Sequence, residues 1–242
     1  MRTSRAAAGI RARDTLIVAL ALNSGATDAI GFLALGGAFT SVMTGNLVLL
    51  GMSVARPGLA VLTAAAIFSY IAGTAAGARL AGEPRAGDPV WPQAVTRTLI
   101  AEICVVAVYA AGWEWAGGHP SRPGQVGLLM LNAVALGLQS TAINRFGVKG
   151  LSTTYMTGTL TTVVTSLASG RPMSHVVRSL WIISAMLAGA AAAAAGFLFA
   201  PRLVPLLQLA SLASVILAAS RWWPSARTGE PRKLVTTSLS SH

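Results

Sequence analysis

The stretch Thr15-Leu-Ile-Val-Ala-Leu-Ala-Leu-Asn-Ser-Gly-Ala-Thr-Asp-Ala-Ile-Gly-Phe-Leu-Ala-Leu35 decides the fold. It is apolar over a length that matches the roughly 20 residues a helix needs to cross about 30 Å of hydrocarbon. Its single charge, Asp28, lies well inside the run. A carboxylate there is costly in lipid, so it must face a cavity or a partner.

Working outward, five further stretches read as spans: residues 60–80, 98–113, 125–144, 175–200 and 203–220. Two shorter apolar pieces, 42–55 and 152–168, lie between them. Each follows a glycine-bearing stretch (Gly36-Gly37, and Gly147 to Gly150) and stops at a breaker, Arg56-Pro57-Gly58 or Gly170-Arg171-Pro172. The expected fold is all-α: a polytopic integral membrane bundle of about six full spans plus two short interrupted or re-entrant segments, occupying residues 15–223 as one transmembrane domain. Residues 1–14 read as a basic tail and 224–242 as a polar, disordered one.

Composition agrees. Hydrophobic residues make up 54% of the 242 and charged ones 10%, against about 25% charged in soluble domains. The net charge of +11 does not point to nucleic acid, because the basic residues sit at span ends and in the tails, with no zinc spacing or aromatic–basic interleaving. Such placement is what membrane orientation produces. Cys104 is the one cysteine; it excludes an intrachain disulfide and reads as a small buried hydrophobe. His119, His175 and His242 are dispersed, no metal constellation is visible, and no nucleotide loop or nucleophile elbow is present. Neither an enzyme nor a cofactor is expected. Trp91, Trp113, Trp115, Trp222 and Trp223 flank spans, as an interfacial aromatic belt does.

The chain also repeats itself. Ser41-Val-Met-Thr-Gly-Asn-Leu47 aligns with Thr154-Tyr-Met-Thr-Gly-Thr-Leu160, and the surrounding spans correspond in order, giving halves of about 15–116 and 125–223. With six spans, Arg79, Arg85, Arg97, Arg145, Lys149, Arg171 and Arg178 fall on the side of both termini, and only Arg56, Arg122 and Arg202 on the other. The positive-inside rule then favours cytoplasmic termini and six spans over eight. Three crossings per half make the repeat inverted, a pattern of secondary transporters whose broken helices meet near the midplane. An extended stretch plus a half-helix is also long enough to cross, which leaves an eight-span alternative.

Candidate substrate- or ion-binding residues follow from polarity at membrane depth: Asn23, Asp28, Thr44, Gly45, Asn46, Gln139, Ser140, Thr157, Gly158 and Thr159. Asp28 reads either as a proton, cation or substrate contact, or as a neutral acid hydrogen-bonded to Thr27, Asn23 or a neighbouring helix. The Thr-Gly pairs offer a helix break, hydroxyls to cap a half-helix, and N–H groups suited to an anion. Asn132, Gln139, Ser140 and Asn144 fall mostly on one face of a span, either lining a pathway or bonding between helices. Glu102, near the start of its span, reads as a solvated or snorkelling acid. Ala65, Ser69, Gly73 and Gly77 recur every fourth residue, as does a small-residue face around 189–196, and both read as packing ridges within the chain or between copies in a homo-oligomer.

Asp28-Ala-Ile-Gly-Phe-Leu33 followed by Met43-Thr-Gly-Asn46, then Gly137-Leu-Gln-Ser140, Thr153-Thr154 and Thr157-Gly-Thr159, resembles the YoaK-like bacterial membrane proteins, the domain-of-unknown-function 1275 family. The resemblance runs from about residue 14 to 223 and departs from the pattern at Ser140 and Thr159. It implies a bacterial inner-membrane protein of no settled activity. Two functions are expected from the residues. One is a small secondary transporter or permease for an unidentified small molecule or ion, with its site between the two Met-Thr-Gly segments. The other is a non-transporting scaffold or sensor acting through helix packing.

Overall fold

The structure is a computed structural model and describes residues 2–85, 87–147, 156–170, 172–173 and 176–223. Among these residues there are eight α-helices and no strands: α1 (Arg2–Ala34), α2 (Met43–Met52), α3 (Gly58–Ala81), α4 (Gln93–Trp115), α5 (Arg122–Asn144), α6 (Met156–Ala168), α7 (Val177–Phe199) and α8 (Val204–Trp222). Six of them, α1, α3, α4, α5, α7 and α8, are long and apolar enough to cross a membrane. The expected tail 1–14 is helical from Arg2, a direct continuation of the first span. Helix α4 starts at Gln93, five residues before the apolar run, because hydropathy marks the part in lipid and Pro92 marks where the helix begins. The expected tail 224–242 lies outside the described residues.

Glycines set the two closest crossings. A Cβ at Gly25 would overlap the carbonyl of Met186, and one at Gly189 the carbonyl of Leu22, so α1 and α7 meet backbone to backbone. Gly73 and Gly137 do the same for α3 and α5, against Val134 and Tyr70. Without a hydrophobic driving force between helices in lipid, this close approach is a main source of association. The ridge read at Ser69, Gly73 and Gly77 is buried here.

The contacts also give direction. Side chains lean toward a helix N-terminus and carbonyls point to the C-terminus, so these reciprocal contacts make α1 parallel to α7 and α3 parallel to α5. Asp14 and Arg178, each eleven residues ahead of its crossing glycine, face each other at 3.6 Å, as parallel helices require. Helix α4 runs against α8, where Trp113 Nε1 donates to the Pro201 carbonyl at 2.8 Å. Gly9, in α1, lies against Trp223, just past the end of α8.

Two faces follow. On one lie the end of α1 and the starts of α3 and α5: Gly36 packs on Leu62, and Arg122 donates to the Gly58 carbonyl at 2.9 Å. On the other, Arg145 past the end of α5 donates to the Ala81 carbonyl at the end of α3. Since α1 ends on the face where α3 starts, α2 enters and leaves by that face. By the same reasoning α6 lies between an end of α5 and a start of α7 that share the opposite face. Arg11, Arg13, Arg79, Arg85, Arg97, Arg145, Arg178 and Arg221 gather on the face of the two described chain ends; Arg56, Arg122 and Arg202 lie on the other.

Several side chains depart from expectation. Trp113 is fully buried, and Trp91 is buried in a stack on Trp223 at 5.4 Å, so these rings pack the bundle, whereas Trp115 and Trp222 are exposed. Cys104 is exposed on the outer side of α4, because the inward face of that helix is the stripe containing Leu99, Glu102, Val106, Tyr109 and Trp113.

Replacing Gly189 by Leu should separate α1 from α7 and lower stability by about 1–3 kcal/mol or more, as over-packing does. Gly158→Leu, at a position with open space around it, should leave the melt unchanged. Thermal unfolding in detergent checks both, and equal melts would contradict the crossing.

The loop from α3 to α4 is tied to the end of α5. Arg145 also forks onto both carboxylate oxygens of Asp88, at 3.0 Å for the Nη2 bond. The guanidinium hydrogen bond, with help from the Arg85 amide, holds the Asp88 carboxyl below its usual range. A depressed native value means the pair's contribution is present above the ordinary aspartate range and is lost as pH falls through that lower value. Asp88→Asn should therefore lower the melting temperature at neutral pH and match the unsubstituted protein in strong acid. A constant difference across pH would contradict this.

Candidate functional site

Asp28 lies six residues before the end of α1, about 9 Å into the membrane at 1.5 Å per residue. Its carboxylate is consumed by the chain that follows. Oδ1 accepts from the Thr40 amide (2.8 Å), the Thr40 hydroxyl (2.9 Å) and the Ser41 amide (2.8 Å), and Oδ2 accepts from the Ser41 hydroxyl at 2.5 Å. These partners were not those expected, Thr27 and Asn23. Thr27 instead donates to the Asn23 carbonyl. Non-helical backbone at this depth has no water to bond, so it must be satisfied by protein. Asp28 supplies that for Thr40 and Ser41.

Asn46 does the same one turn into α2. Its Oδ1 accepts from the Phe39 amide at 2.9 Å and its Nδ2 donates to the Phe39 carbonyl at 2.6 Å, a two-bond clasp. The short helix therefore starts at depth on a stretch held from both sides. The expected hydroxyl cap is absent: the residue before α2 is Val42, with no side-chain cap bond. Thr44 is exposed and Gly45 half-buried. In the second half, Thr157 and Gly158 are exposed and Thr159 is buried. Thr153 and Thr154 lie outside the described residues.

The structure brings a different set of residues together. Asn23 Nδ2 donates to Gln139 Oε1 at 2.9 Å and reaches Glu102 Oε1 at 3.4 Å. Gln139 Nε2 donates in turn to Ser24 Oγ (2.7 Å) and to the Leu20 carbonyl (3.1 Å). Gln208 Nε2 donates to Thr27 Oγ1 at 2.9 Å. This layer draws on α1, α4, α5 and α8, and its members are all buried. Ser140 lies to one side, accepting from the Tyr70 hydroxyl at 2.8 Å.

Glu102 overturns its reading as a solvated acid. It is the tenth residue of α4, about 14 Å along it, and is 0% exposed. The helix extends further toward the terminal face than the apolar run suggested, which carries Glu102 from the interface to mid-depth. Several buried polar atoms in and beside the layer are left over, the Tyr109 hydroxyl among them. Asn23 Oδ1, Glu102 Oε2, Gln208 Oε1 and both amide atoms of Asn132 are buried without a hydrogen-bond partner. Among the described residues no ion pair involves Glu102, and no group of acids, histidines and cysteines is placed to hold a metal ion. Gln208 and Tyr109 were missed in the sequence. The signal for Gln208 was available, as a lone amide in the apolar run 203–220.

These features define a multi-pass α-helical membrane protein with a buried polar layer at mid-depth. Residues 16–220 match the family described as protein of unknown function DUF1275, and the chain belongs to that family. It is 34% identical over 161 residues to the UPF0700 transmembrane protein YoaK of Bacillus subtilis (strain 168), covering 66% of this chain and 68% of that one. No solved structure matches.

Asp28→Ala should free the Thr40 and Ser41 amides. Hydrogen exchange at these two should accelerate, and stability should fall by on the order of 3 kcal/mol, the scale of a lost charge-assisted bond. Asp28→Asn, which keeps one acceptor oxygen, should fall between. Unchanged protection at residues 40–41 would show that Asp28 does not hold the loop.

Proposed function

We propose that the chain is a small secondary transporter or permease, not an enzyme, built from two inverted halves around the buried polar layer. The observation that carries the reading is the pair of short helices placed toward opposite faces. Helix α2 starts at depth, past the loop held by Asp28, and ends by the start of α3; Thr157 and Leu160 of α6 lie beside Ile183, Met186, Leu187 and Ala190, halfway along α7. Inverted repeats with interrupted helices at the midplane are the common architecture of such transporters.

The packing supports the duplication. Exchanging the halves turns α1 on α7 into α5 on α3, α1 on α8 into α5 on α4, and α2 on α3 into α6 on α7, and every one of these pairs is in contact. The crossing glycines exchange as well, Gly25 with Gly137 and Gly73 with Gly189. The gathering of arginine on one face supports a cytoplasmic location for both termini in a bacterial inner membrane. In this reading Asp28 and Asn46 hold the first short helix at depth, and the Asn23–Glu102–Gln139 layer faces the pathway when the halves rock apart.

A second reading, a scaffold or sensor acting by helix packing, draws on the backbone-tight glycine crossings. The two readings separate by accessibility. In a protein with Cys104 replaced, Thr44→Cys and Thr157→Cys are each exposed to a membrane-impermeant thiol reagent from either side. The transporter reading expects labelling of the two from opposite sides. Labelling of neither from any side would move the conclusion to the scaffold.

A further inference from the structure

The polar layer contains one acid with no counter-charge. Helix α1 presents Asn23, its sole charged side chain at depth being Asp28, which is turned to Thr40 and Ser41. Helix α5 presents Asn132 and Gln139, and α8 presents Gln208, all neutral. Helix α3 packs on α4 and carries no charge between its start and Arg79. On α4 itself the inward face continues with Tyr109, beside the Asn132 amide. A lone carboxylate at this depth, desolvated and unpaired, is the costliest arrangement a bilayer protein can hold.

Two unpartnered oxygens show what relieves it. Asn23 Nδ2 already points its hydrogens at Gln139 Oε1 and Glu102 Oε1, so the space between these oxygens is filled by N–H donors. That leaves two orphaned oxygens on adjacent side chains, Glu102 Oε2 and Asn23 Oδ1. A single hydrogen on Oε2 removes the charge and turns an acceptor into a donor that Asn23 Oδ1 can take. A metal ion fits less well, because among the described residues no second acid, histidine or cysteine joins Glu102 to hold one.

We propose that Glu102 is a proton-binding site at the middle of the membrane: it holds a hydrogen on Oε2 in this closed arrangement and releases it to water when the layer opens to one face. Release breaks the O–H bond, leaves the electron pair on the carboxylate, and passes the proton to a water molecule at the open face. The proposal names the coupling ion of the transport reading and rests on that reading for its role, though not for its chemistry.

The test is infrared spectroscopy of the whole protein in lipid vesicles, isotopically labelled at the glutamate side-chain carboxyl. This separates the chain's four glutamates from its three aspartates. At neutral pH the expected result is a protonated-carboxyl band that moves with the label and shifts in heavy water. The band should vanish entirely in Glu102→Gln and fade reversibly as pH is raised. Asn23→Leu should keep the band but move it to higher frequency, since its acceptor is gone; that variant keeps the test open if Glu102→Gln does not fold. Three results would overturn the proposal: no labelled band, a band that survives Glu102→Gln, or a band unchanged across the whole pH range in which the protein stays folded. Loss of the band on adding sodium or potassium at fixed pH would also overturn it, in favour of a metal cation. The accessibility experiment on Thr44 and Thr157 reads the transport pathway independently, so a failed pathway and a failed proton site give different results.

Discussion

The bundle depends on two places where helix backbones touch. At Gly25 and Gly189, and again at Gly73 and Gly137, there is no room for a Cβ. Lipid tails are as apolar as leucine, so burying leucine between these helices would not hold them together. Close van der Waals contact does, and it fixes the relative height of the helices to within a turn. That precision sets the polar layer: Asn23 is two residues from Gly25, and Gln139 two residues from Gly137. A shift of one turn at either crossing would break the Asn23–Gln139 bond and leave four amide hydrogen-bonding groups in a dry core.

The second constraint is local. Residues 35–42 dip into the membrane without helical bonds, which a lipid environment permits only where protein meets every backbone group. Asp28 and Asn46 meet the amides of Phe39, Thr40 and Ser41 and the carbonyl of Phe39. Two polar residues of the first motif, Asp28 and Asn46, thus hold the loop in place. The acid without such a task is Glu102, which belongs to no motif.

Much of this was legible in the sequence. The six long apolar helices and the two short ones between them followed from apolar run length and its breakers. What the sequence could not give was depth and facing. Glu102 sits four residues into an apolar run, and only the five further helical residues from Gln93 to Arg97 reveal that it is at mid-membrane. Asp28 is legible as costly in lipid, but its partners come from a loop whose return path no periodicity encodes. Trp113 looks interfacial by position and is buried because α8 begins against it. Cys104 looks buried by its neighbours and faces outward because its helix turns a different stripe inward.

The order of contacts along the chain has a consequence for how the protein is made. Helix α1, synthesised before the other described helices, packs chiefly on α7 and α8, which follow all the rest of them. Asp28 finds its loop within 13 residues, but Asn23 waits for Gln139, 116 residues later, and Thr27 for Gln208, 181 residues later. At about 5–20 residues per second of translation, the inner face of the first span stays unpartnered for roughly 10–40 s after it emerges. During that interval its amides need shelter from lipid, at the insertion machinery or against a helper chain. The first span is therefore the point at which biogenesis is most exposed to delay, and slow translation of the last two helices would prolong that exposure.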